Sequence, residues 1–200
     1  MKSERFVFAV IFALVFSMIT LSLQSFAVRC EAVRGDTLRM HIIAASDSEQ
    51  DQRSKLLVRD AVLQQYSDIL CGKSIEQAIA FAQFLKDDIK QTALNVLKQQ
   101  GSSDDVRVEI TDMYFDTRSY QNGITLPAGN YSAVRIIIGE GKEQNWWCVM
   151  YPPLCIPACI EGDSAQIKGE IAALENQPAY KAKFALVELA QKIHLAVNKG

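Results

Sequence analysis

Val106-Arg107-Val108-Glu109-Ile110-Thr111 alternates apolar and polar side chains, the period of a strand with one face in a core. Just before it the period is different. Ile75, Ile79, Ala82, Leu85, Ile89, Ala93, Val96 and Leu97 recur every three or four residues, with Lys86, Asp87, Lys90 and Lys98 on the opposite side. Residues 75–100 therefore read as one long helix. Ser74 and Gln77 supply a capping box at its start and Gly101 its stop. The switch of period across 102–105 separates a helical first half from a strand-rich second half, and that decides the fold class.

Upstream, Leu38, Met40, Ile42 and Ala44 alternate with Arg39 and His41 as in a strand. Ser46 or Ser48 then caps a helix running to about Leu70, with Asp47, Glu49 and Asp51 at its positive end. Val58, Ala61, Val62, Tyr66 and Ile69 form its apolar stripe, and Glu49 with Arg53 and Asp51 with Lys55 have pairing spacing. Downstream, the strand from Val106 extends toward Tyr114 and Phe115. Turns are expected at 121–123 and 126–129, and Ala133 to Ile138 is a β-branched run suited to a central strand. A hairpin through Gly139 and Gly141 is expected to join it to Asn145–Met150. A short helix over 164–174 and a last one from Pro178 follow, the latter with Phe184, Leu186, Val187, Ala190, Ile193 and Val197 inward. Blocks of helices and strands, not strict alternation, predict an α+β fold: a mostly antiparallel sheet of about four strands with helices packed on one face.

The run Phe6 to Leu23 contains no charge, Gly or Pro. As a helix it covers about 27 Å, close to the ~30 Å of a bilayer's hydrocarbon core. Residues 1–27 are thus a signal peptide or an N-terminal membrane anchor. Ser25 and Ala27 place small residues three and one before a cut between Ala27 and Val28, which favours a removed signal. Either way the remainder is sent across a membrane. A linker over 28–36 and one domain over 37–200 complete the expected organisation.

Beyond residue 27 the chain carries 19 Lys and Arg against 22 Asp and Glu. Nucleic-acid binding rests on neutralising phosphates, so no nucleic-acid partner is expected, and membrane contact is expected only through the N-terminal segment. Five cysteines allow at most two bridges in an exported chain. Cys148 with Cys155 is one pairing and Cys155 with Cys159 another, and free buried thiols remain an alternative.

Reaction centres are not legible. His41 and His194 are far apart in sequence, without zinc-ligand spacing. Asp47, Glu49 and Asp51 imitate the start of a calcium loop, but Gln52 and Val58 stand where that loop needs Gly and Glu. Gly139 and Gly141 lack the third glycine of a phosphate cradle. Asp112 and Asp116 have no support as a carboxylate pair, and Cys148 with His41 has no oriented base. No catalytic residue, metal or cofactor is expected, and a binding or signalling module accounts best for such a chain.

Asn145-Trp146-Trp147-Cys148-Val149-Met150-Tyr151-Pro152-Pro153-Leu154-Cys155 gathers both tryptophans and a Pro-Pro step. Adjacent aromatics on a strand point to opposite faces, so one can enter a core while the other meets a second layer or a partner.

This segment, together with Leu38-Arg39-Met40-His41-Ile42-Ile43-Ala44-Ala45-Ser46-Asp47, Lys55 to Leu63, Leu126-Pro127-Ala128-Gly129-Asn130-Tyr131 and Ile138-Gly139-Glu140-Gly141-Lys142, resembles the stage II sporulation protein R family over roughly 38–155. Ala45 stands where that family usually has Asn. The resemblance implies a signalling protein of endospore-forming bacteria, secreted from the forespore into the septal intermembrane space. There it would activate a membrane-embedded aspartic protease of the mother cell, which processes the pro-form of a sigma factor. The protein would be a ligand, not an enzyme. Interfaces favour aromatic and Arg anchors with a polar rim, which makes Trp146, Trp147, Tyr151 and Pro153 one candidate contact region and Asp47, Glu49, Asp51, Arg59 and Asp60 another. The alternatives are an exported septal cell-wall hydrolase and an anchored septal structural protein.

Overall fold

The computed structural model describes residues 2–70, 74–120, 124–141, 145–152 and 164–198. In chain order the elements are α1 (Lys2–Gly35), β1 (Leu38–Ile43), α2 (Glu49–Leu70), α3 (Ile75–Phe84), α4 (Lys86–Gln99), β2 (Val106–Phe115), β3 (Arg118–Ser119), β4 (Thr125–Leu126), β5 (Gly129–Ile138), β6 (Asn145–Tyr151), α5 (Ser164–Glu175) and α6 (Tyr180–Asn198). They fall into two compact units. The larger comprises 34–115 with 129–169; the smaller comprises 1–33, 116–128 and 170–200.

The larger unit is the expected α+β layer, with a sheet in the order β2-β5-β1-β6. β2 pairs antiparallel with β5 and β6 antiparallel with β1, while β1 and β5 run parallel. Leu38, Met40 and Ile42 of β1, Val134, Ile136 and Ile138 of β5, and Val106 and Val108 of β2 meet Val58, Val62 and Tyr66 of α2, Ala78 and Ala82 of α3, and Ile89, Ala93 and Leu97 of α4. Burying each of the larger aliphatic side chains there stabilises the fold by roughly 1.5–3 kcal/mol. All six residues of β1 are buried, as befits an inner strand covered on both faces.

Capping follows the sequence. The Ser48 hydroxyl accepts from the Asp51 N–H at 3.1 Å, and Ser74 with Gln77 closes the capping box of α3. The single helix expected over 75–100 is broken at Leu85, which separates α3 from α4. The break lets Ala78 and Ala82 on one segment and Ile89, Ala93 and Leu97 on the next reach the same core. The hairpin expected between β5 and β6 does not form either. β1 lies between those strands, because its two faces and both edges are all in use, one edge by each neighbour.

In the smaller unit β3 pairs with β4, and α1 continues as helix through Gly35, where a linker over 28–36 was expected. Phe26 of α1 is buried edge-to-face against Phe184 of α6, 5.0 Å between centroids. Lys183 donates to the Ser22 hydroxyl at 2.8 Å and to Gln177 at 2.9 Å. α6 begins at Tyr180, after Ala179 at φ 56°, slightly later than Pro178. Its rotation differs from the expected one. Phe184 is buried, but Leu186, Ile193 and Val197 are exposed along with Leu189. The inward side carries Lys183 and Glu188, whose carboxylate accepts from the Thr117 N–H at 3.4 Å. Together with Phe184 against Phe26 they define the inward side, and the apolar stripe on the other side of the helix stays exposed.

Candidate partner-binding surfaces

Strand alternation sends Arg39 and His41 of β1 to the sheet face away from α2, α3 and α4. Register places His41 beside Trp147 of β6 and Arg39 beside Ala133 of β5. The result is a polar-aromatic cluster. The fully buried Arg39 guanidinium lies 4.0 Å from the Phe115 ring centroid and 4.9 Å from that of Tyr131. Phe115 meets Tyr131 at 5.6 Å and Trp147 at 4.9 Å, both edge-to-face. Such contacts add about 0.5–2 kcal/mol each to area burial.

The His41 ring stacks flat on Trp147, 3.8 Å between centroids at 8°. Its Nε2 donates to Asn145 Oδ1 at 2.6 Å, which makes Nδ1 the basic nitrogen of the neutral ring. Nδ1 is buried and meets no hydrogen-bond partner among the described residues. Burial is the main reason its pKa falls to about 4; the Asn145 hydrogen bond opposes this, and Arg135 and Arg39 reinforce it. Near neutral pH the ring is an uncharged stacking platform.

Cys148 belongs to the other side. It packs in the helix-covered core beside Met40, its register partner, and is disulfide-bonded. The thiolate–imidazole pair weighed from the sequence is therefore not assembled. Cys155, its expected bridge partner, and Pro153 lie outside the described residues.

Of the two contact regions expected from sequence, the structure joins Trp146 of the first to Arg59 and Asp60 of the second. Trp146, 36% exposed, projects from β6 toward α2, where the Arg59 guanidinium lies 4.6 Å from its ring centroid. Arg59 also pairs with Asp60 at 2.6 Å. The tryptophan, the arginine and the carboxylate thus form one patch at the solvent boundary. Trp147 and Tyr151 are only half-exposed, the latter packed on the helix-side core. At the start of α2, Asp51 accepts from the Ser46 hydroxyl, and Gln52 donates to Asp47 at 3.4 Å. Glu49 pairs with Arg53 at 3.3 Å. These acidic residues serve the helix end, as the dipole reading predicts.

The cluster around Arg39, Phe115 and Tyr131 was not found from sequence. Its one signal was an arginine in the middle of an otherwise apolar strand, which invites a search for aromatic partners.

The stage II sporulation protein R family model matches residues 34–160. The chain belongs to that family. Stage II sporulation protein R of Bacillus subtilis (strain 168) is 33% identical over 141 residues, which are 70% of this chain and 62% of that relative's length. No solved structure matches. The family match takes in the whole sheet and α2 to α4, hence both the His41–Trp147 cluster and the Trp146–Arg59 patch. The apolar run of α1 and the whole of α6 lie outside it. That run, long and apolar enough to cross a membrane, fits a signal peptide or an anchor.

Proposed function

We propose that the chain is an exported signalling ligand of sporulation, made in the forespore and presented in the septal intermembrane space. It activates a membrane-embedded aspartic protease of the mother cell, which then processes the pro-form of a sigma factor. Membership of the stage II sporulation protein R family carries this reading, and the membrane-crossing length of α1 supports export. The exposed Trp146 with Arg59 and Asp60 is the contact best suited to the receptor: an aromatic anchor, an arginine and a polar rim in one place.

Burial of Phe26 against Phe184 and the Lys183–Ser22 hydrogen bond favour retention of α1 as an anchor, because a cut between Ala27 and Val28 would remove both contacts. The test is co-production of the full chain, the protease and the sigma-factor precursor in a non-sporulating host. Processing that appears only when this chain is present is the expected result. Processing that is absent, or that proceeds equally without the chain, overturns the reading.

A further inference from the structure

β2 is an outer strand of the sheet, paired with β5 on one side and with no strand on the other among the described residues. The Gly139 N–H donates to the Asp105 carbonyl at 2.9 Å, which sets the phase of this antiparallel ladder. Residues 105 and 139 form a hydrogen-bonded pair, so Arg107, Glu109 and Thr111 turn their main-chain groups toward β5. Val108, Ile110 and Asp112 turn theirs to the open edge.

Beside that edge lies a groove of about 620 Å³. Glu76, Ile79, Ala80 and Gln83 of α3 form one wall, and Ile110 with Asp112 the other. Phe84, 81% exposed, continues the same helix stripe one turn beyond Ala80. The floor is apolar and the rim acidic. Asp112 accepts from the Ser132 hydroxyl through one oxygen at 2.7 Å, which leaves its charge at the surface.

We infer that the β2 edge and α3 form a docking slot for an extended partner segment that adds as a fifth strand and carries basic side chains flanking an apolar one. Main-chain groups of Val108, Ile110 and Asp112 supply the ladder, as in other strand-addition sites. The apolar side chain enters between Ile79, Ala80 and Ile110, and the basic ones meet Glu76 and Asp112. A second copy of this chain fits poorly, since β2 pairing with β2 brings two acidic rims together. The inference rests on the edge and the groove, and does not need the receptor reading above.

The experiment uses the full chain in detergent micelles and a fluorescein-labelled peptide, Thr-Lys-Thr-Val-Thr-Lys-Thr, followed by anisotropy and amide hydrogen exchange. The expected result is saturable binding that protects the Ile110 and Asp112 amides, with the Glu-for-Lys peptide weaker by roughly fivefold or more. The double variant Glu76→Lys with Asp112→Lys, both exposed positions, should reverse that preference while leaving the circular dichroism unchanged. Equal binding of the two peptides, no binding, protection elsewhere on the chain, or self-association through β2 would each overturn the slot.

Discussion

The His41 imidazole lies parallel to the Trp147 indole, 3.8 Å between centroids, with its basic Nδ1 buried. The stack ties β1 to β6 on the sheet face away from the helices and makes the fold sensitive to acid. His41 titrates near 6.5 when unfolded and at about 4 when folded. The unfolded chain therefore binds the extra proton first as pH falls. Stability is full above about 6.5 and declines between 6.5 and 4, by about 2 kcal/mol at pH 5. His41→Gln should flatten this part of the urea-unfolding profile, and an unchanged slope in the variant would assign the acid sensitivity elsewhere.

The two tryptophans should separate by role. Trp147→Ala removes a half-buried ring packed on His41 and Phe115 and should cost about 3 kcal/mol. Trp146→Ala loses a surface cation–π contact of about 0.5–1 kcal/mol and should keep its melting temperature nearly unchanged. In the co-production assay Trp146→Ala should still lose most precursor processing. Full processing by a folded Trp146→Ala protein would remove that ring from the receptor contact.

Gly129 should not tolerate a side chain. Its φ of 146° is rare for L residues, and an added Cβ would sit 2.5 Å from Arg34 Cδ, a side chain that is itself buried. Gly129→Ala is expected to lose at least ~1–3 kcal/mol in denaturant titration. Gly129→Ala with Arg34→Ala should recover the steric part of the loss but not the backbone part.

Retention of α1 is checked by intact mass. The protein should be found in the membrane fraction near 22.3 kDa, and a mature chain beginning at Val28 would show that Phe26 is dispensable. Phe26→Ala should independently lower the stability of the smaller unit by about 3 kcal/mol.

Local chemistry was readable without coordinates. The period-two runs at 38–43 and 106–115, the Ser74–Gln77 box, the cap at Ser48 and the pairing of Glu49 with Arg53 all depend on neighbours within a few residues, and they appear as expected. Elements whose outcome depends on distant partners differ. β1 inserts between β5 and β6 because strand pairing compares all available edges, which a hairpin spacing cannot reveal. α6 offers apolar residues on more than one side, and the side turned inward is the one on which Phe184 meets Phe26, with contacts to Ser22 and Thr117 beside it. Pleat alone puts Trp146 and Trp147 on opposite faces, but which ring meets which partner is set by register, which sends one under Arg59 and the other onto His41.

By itself, the sequence determined the class of fold, the membrane-length first helix and the family, since periodicity, composition and ordered motifs are properties of the chain alone. Tertiary structure decided the strand order, the burial of Arg39 and His41 among aromatic rings, and the open edge of β2. Those depend on which surfaces compete for the same neighbours, and that competition is resolved only when the whole sheet and its helices pack together.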